Sequence, residues 1–182
     1  MKRKTFDKLA STIGLLLAIG LLVAGALLTW GYSFANSQVK SQLASQHITF
    51  PATPADPKAS ADVVKFFKDN GGQMMTTGKQ AHMYADNYIA IHLIGIGGGK
   101  TYSELSAAAM KDPTNAALQG QVATVFKGET LRSILLTAYA FWQLGQIAMI
   151  SSFVAYLGGV LFLILALLGF AHLRRAETDS EI

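Results

Sequence analysis

From Ser133 to Ala171 the chain runs 39 residues without an Asp, Glu, Lys, Arg or His. As one α-helix that run would measure roughly 58 Å, about twice the ~30 Å apolar core of a bilayer. A second uncharged run, Leu9 to Val39, lies toward the other end. Two such runs around a more polar middle predict a mainly α chain with two transmembrane helices. Both helices are expected to extend beyond the membrane, with a small helical exterior domain inserted between them. Apolar residues make up 51% of the chain and mean hydropathy is +0.34, which agrees with that class.

The position of the charge decides what a pI near 9.3 means. Lys2, Arg3, Lys4 and Lys8 outnumber Asp7 before the first run, and Arg174 and Arg175 follow the second. The middle is close to neutral, so the basic excess marks membrane flanks and predicts no nucleic-acid partner. By the positive-inside rule both termini are cytoplasmic and the middle lies outside the plasma membrane. Two crossings within Ser133–Ala171 would place Arg174 and Arg175 outside, so one crossing is expected there. The predicted layout is a cytoplasmic tail 1–12, a span 13–32, an exterior domain 33–150, a span 151–171 and a cytoplasmic tail 172–182. Cysteine is absent, so an exported domain here must hold together by packing.

The start of the chain also resembles a secretory signal, with Ser33-Phe34-Ala35 before Asn36 as a cleavage site. The apolar stretch Ile13–Tyr32 is 20 residues long, against ~7–15 for a signal core, and favours a retained span. Trp30, Tyr32 and Phe34 suit its outer headgroup layer.

Beyond that span, Val39 and Leu43 predict a helical continuation to Gln46, and Pro51–Pro57 an extended linker. Helices are expected over Ala59–Asn70, Gln80–Ile94, from Thr101 to Met110, and Asn115–Phe126. The last of these should carry Leu118, Val122 and Phe126 on one side and end before Gly128. Val122–Phe126 also admits a strand. Leu131–Ile150 then extends the second span outward. It is apolar around most of its circumference, so Tyr139, Phe141 and Trp142 are expected under a protein cover.

The motifs that carry chemistry are few. Gly95-Ile96-Gly97-Gly98-Gly99-Lys100-Thr101 has one residue too few for a phosphate loop, and predicts a glycine break with Thr101 and Glu104 as a capping box; no nucleotide is implied. His82 and Asp86 share a helix face at i and i+4 and are the best metal-ligand pair, but His92 lies ~80° off that face and no metal or other cofactor is expected. Glu129 is expected at the start of the last helix, where its charge suits the dipole. There is no nucleophile elbow, so no catalytic residue is assigned.

Small residues recur every fourth position at Ala10, Gly14 and Ala18, at Gly25, Thr29 and Ser33, and at Ser151, Ala155 and Gly159. Such stripes let helices approach closely in lipid. The two outer stripes are expected to face each other, leaving the Ala10 stripe for a partner.

Gln42–Pro51 (QLASQHITFP), the run Gln80–Glu104 and Leu131–Ile147 (LRSILLTAYAFWQLGQI) together resemble a family of small actinobacterial membrane proteins with one span near each end. The resemblance implies a two-span topology. Members are often labelled aromatic-ring-opening dioxygenases, a chemistry that needs iron held by two histidines and a carboxylate. These residues supply no such triad. The leading expectation is a noncatalytic accessory subunit of a larger plasma-membrane complex, of the respiratory or another energy-transducing kind. Its partners would be the lipid bilayer and other membrane-protein subunits. The alternative is a stand-alone membrane-anchored sensor that binds a ligand near Tyr84, Tyr88 and His92.

Overall fold

The computed structural model describes residues 3–175; Lys2 and the acidic tail beyond Arg175 lie outside the described residues. The elements, in order, are α1 (Arg3–Ala44), α2 (Ala61–Asn70), α3 (Gly78–Tyr84), a π-helical turn (Ala85–Ile89), α4 (Ala90–Gly97), α5 (Tyr102–Lys111) and α6 (Ala116–Arg175). At 42 and 60 residues, α1 and α6 are each long and apolar enough to cross a membrane, and their most apolar windows are largely exposed. A helix that buries so little against protein is not the core helix of a globular domain. The chain divides into two compact units, residues 1–34 with 145–182, and residues 35–144.

In the first unit α1 and α6 run antiparallel. Gly25 faces the Tyr156 ring, Gly159 faces Leu22 and the Ala18 carbonyl, Gly14 faces Ala166, and Gly169 faces Ser11. The Thr29 hydroxyl lies 3.2 Å from that of Tyr156. This register sets Leu9 level with Ala171 and Trp30 level with Ser151. The uncharged stretch Leu9–Trp30 is then roughly 33 Å long, a bilayer's apolar thickness.

The outer stripes do not pack small residue against small residue. Each glycine instead receives a large side chain of the other helix, Tyr156 at Gly25 and Leu22 at Gly159. Nor is the inner stripe free for a partner, because Ala18 is fully buried and Gly14 abuts Ala166. Ala155 is buried, Ser151 half-buried and Ala10 exposed.

The second unit is a helical domain closed around Phe50, which is buried among Phe67, at 4.8 Å between ring centres, Phe66 and Tyr84. Val39 and Leu43 of α1 and Leu135 of α6 complete this core with Met75, Ala85, Ile89 and Leu93. Ala35, at the signal-like cleavage position, is buried in the same stretch of α1. Residues 48–50 pair with 72–75 through Phe50 N–H to Gln73 C=O at 2.8 Å and Met75 N–H to Ile48 C=O at 2.8 Å. That short antiparallel contact, centred on the Thr49–Met74 bridge, has no signal in the sequence pattern.

Gly128 does not end a helix. It lies inside α6 directly against Leu93, where an added β-carbon would collide with the leucine side chain. Its smallness serves close packing, while α6 continues because its own backbone hydrogen bonds need no side chain. Val122–Phe126 is accordingly helical, and the buried residue there is Val125; Phe126 is exposed against Tyr102. Glu129 is well inside α6, far from its dipole end, and faces Arg132 at 3.7 Å.

Both ends of the glycine-rich segment are explained by capping. The N–H of Gly99 bonds to the Ile94 carbonyl at 2.9 Å, with Gly98 and Gly99 at φ of 59° and 79°. Thr101 and Glu104 form the reciprocal capping box. The Thr101 N–H and then its hydroxyl hold the Glu104 carboxyl below its ordinary range. A depressed carboxylate stabilises the fold above its unfolded value, near ~4.3, and that contribution is lost as pH falls through the lower folded value. The melting-temperature gap between the parent chain and Thr101→Ala is therefore expected to narrow on acidification from about pH 5 to pH 3. A gap constant across that range would contradict the capping account.

Candidate functional site

Helix α3 opens at Gly78, two residues before the expected Gln80, with Thr77 as its N-cap. Thr77 accepts the Gln80 N–H at 3.2 Å, while the Gln80 side-chain oxygen accepts the Thr77 N–H at 3.0 Å. Gln80 is buried, and its amide also donates to Asn70 at 3.0 Å, so its polar atoms have partners. This box fixes the start of the helix that carries His82.

At Ala85–Ile89 the helix widens into a π turn, which breaks the i→i−4 ladder and releases carbonyl groups. The Asn87 carbonyl accepts the N–H of Ala55 in the proline-rich linker at 3.0 Å. On the same turn Asp86 meets His82 Nε2 at 3.0 Å and the Arg132 guanidinium at 2.8 Å. The His82 ring stacks on Tyr139, with centres 4.3 Å apart.

The metal candidate pair is thus brought together, with the arginine cation held on the same carboxylate. Among the described residues no three or more of His, Cys, Asp and Glu gather where they could hold a metal ion. The cluster instead ties α6 to the π turn. Arg132→Met is expected to cost about 1–2 kcal/mol, because it leaves a half-buried carboxylate with one partner. Adding Asp86→Asn should recover part of that loss in chemical denaturation, and strict additivity would contradict the tie.

Along one helix face Tyr84 stacks on Tyr88, with ring centres 5.0 Å apart, and the His92 ring lies tilted against Tyr88 at 4.5 Å. His92 Nδ1 lies 2.7 Å from the Tyr88 carbonyl. Burial, and secondarily the neighbouring Tyr88, push the Tyr84 hydroxyl above its ordinary range. Tyr84 also borders Phe50 and packs with Tyr88 on the domain core, while His92 is exposed.

The extension of α6 is covered on one side only. Leu135 is buried, Leu136 and Ala138 pack on the core, and Trp142 closes over Gly78, where no β-carbon would fit. Tyr139 is half-buried over His82. Phe141, expected under cover, is 51% exposed, with Ile134 at 60% and Leu144 at 62% beside it. The helix turns these three away from the core that Leu135 and Trp142 enter.

With exposed Thr130, Ser133, Thr137 and Ala140 they form one uncharged face. It covers roughly a third of the helix circumference over roughly 21 Å. Ser133, Thr137 and Ala140 are small and line a shallow groove of about 420 Å³ with Glu129, Arg132 and Leu136. Arg132, the last charge before the uncharged run, therefore stands at its edge and anchors α6 to the domain.

Comparison with protein-family models, with curated proteins and with solved structures found no match.

Proposed function

We propose that the chain is a noncatalytic accessory subunit of a larger plasma-membrane complex, anchored by α1 and α6 with residues 35–144 outside. The observation that carries this reading is the uncharged face of α6 from Thr130 to Leu144. It presents exposed Ile134, Phe141 and Leu144 beside a groove of small side chains. A contiguous apolar face on a folded domain marks an interaction surface, and a face one helix wide suits another helix.

The packing of Tyr84 and Tyr88 on the domain core weighs against the sensor reading. Membrane extraction followed by isolation of the tagged chain in mild detergent tests the proposal. A defined membrane polypeptide in constant ratio to the chain is expected. A monodisperse monomer that carries no other chain would overturn it.

A further inference from the structure

The sequence holds four asparagines, and Asn70 alone precedes a glycine. An Asn-Gly pair carries its own reaction. The Gly71 nitrogen attacks the Asn70 side-chain carbonyl carbon, because no β-carbon on the glycine stands in the way. A C–N bond forms as the bond from that carbon to Nδ2 breaks, and ammonia leaves with the proton of the Gly71 N–H. Water then opens the five-membered imide at either carbonyl, giving an aspartyl or an isoaspartyl residue. The balance is water in and ammonia out.

The fold requires both members of the pair. A β-carbon at residue 71 would lie 2.8 Å from Cα and Cβ of Ala52, so only glycine lets the proline-rich linker pass. The Asn70 side-chain oxygen accepts from the buried Gln80 amide at 3.0 Å, a donor that must have an acceptor. The same contacts hold the reaction off. Ring closure needs the Gly71 nitrogen and the carbonyl carbon, Cα, Cβ and Cγ of Asn70 in one nearly flat ring. Asn70 is the last residue of α2, and its helical backbone keeps these atoms out of that plane. Its side chain is pinned at both ends, by Gln80 and by the bond from Nδ2 to the Phe66 carbonyl at 2.8 Å.

We propose that Asn70 is a site of self-modification held shut by Gln80, and that its deamidation marks each chain in which the end of α2 has opened. Gln80 is itself fixed, because its side-chain oxygen accepts the N–H groups of Thr76 and Thr77 at 2.8 and 3.0 Å. Freeing Asn70 therefore takes a local opening of this network and not the loss of one bond. The product does not fit the place it came from. Deamidation puts an acceptor where the donor to the Phe66 carbonyl stood, and the isoaspartyl form adds a carbon to the main chain. Gly72 gives its N–H to the Phe50 carbonyl at 2.9 Å, so the added carbon displaces the pairing of residues 48–50 with 72–75 beside the buried Phe50 ring.

The test uses the full chain in detergent, incubated at neutral pH. Peptide mass spectrometry reads the one-dalton gain at Asn70, and isoaspartyl methyltransferase labelling reads the rearranged product. The folded parent should lose the Asn70 amide roughly tenfold or more slowly than the same chain in denaturant. Gln80→Glu keeps the oxygen that accepts from Thr76 and Thr77 and loses the N–H that holds Asn70. It should raise the folded rate roughly fivefold, the factor set by one hydrogen bond. Arg132→Met loosens the domain away from α2 and should stay within about twofold of the parent. Equal rates in the folded and denatured parent would overturn the proposal, as would an unchanged rate in Gln80→Glu. Equal acceleration by Arg132→Met would assign the protection to global stability and overturn the role of Gln80. Should Gln80→Glu not fold, the ratio between folded and denatured parent still decides whether the fold shuts the site.

Discussion

Changing Ile134, Phe141 and Leu144 together to Asp is expected to yield a folded, membrane-integrated chain that has lost its partner. The copurifying polypeptide should fall at least tenfold. The three side chains project from the exposed face of α6, so their replacement removes little from the core formed by Phe50, Phe67 and Leu135. Three carboxylates on a helix–helix contact would each be desolvated without a counter-charge, and tenfold corresponds to only about 1.4 kcal/mol. Val64→Asp, on an exposed position of α2, is the matched control and should leave the partner bound. An unchanged yield of partner from the triple variant, with helicity preserved, would remove the docking face from the account.

Phe50→Ala is expected to lower the stability of the domain of residues 35–144 by about 3–5 kcal/mol, a large part of the ~5–15 kcal/mol that holds a domain of this size. Phe50 is buried and packs against Phe66, Phe67 and Tyr84, which come from two separate helices. Truncation therefore opens a cavity that no single side chain can refill. The chain has two tryptophans, Trp30 and Trp142, so Trp30→Phe leaves Trp142 as the only reporter. Its position over Gly78 makes its fluorescence sensitive to loss of the domain. A shift corresponding to less than about 1 kcal/mol in denaturant unfolding would show that Phe50 is not the centre of the core.

The long-range architecture was legible where charge and backbone chemistry act locally. Uncharged runs longer than one crossing announce α1 and α6, and Thr101 with Glu104 announces the start of α5, because a capping box is complete within four residues. Thr77 and Gln80 carry the same signal. It is masked by Gly78, which stands between them and suggests a loop. Gly128 poses the opposite problem. Whether a glycine ends a helix or admits a neighbour depends on what lies across from it, and Leu93 is 35 residues away in sequence.

The site depended still more on such distant pairings. His82 and Asp86 are paired by helical spacing alone, but Arg132 reaches Asp86 only through the fold, and the π turn that presents Asp86 leaves no sequence mark. The apolar character of Tyr139, Phe141 and Trp142 was visible. Which side of α6 the domain covers was not, since residues on several faces are equally apolar. Tyr139 and Trp142 went inward over His82 and Gly78, and Phe141 outward.

The central claim is that the exposed face of α6 meets another membrane subunit, and site-specific photocrosslinking in intact cells tests it most directly. A photoreactive side chain at Phe141 or Ile134 should give one crosslinked membrane polypeptide of constant size, while the same group at Val64 gives none. Crosslinking to lipid alone from positions 134 and 141, or the same product from position 64, would contradict the claim.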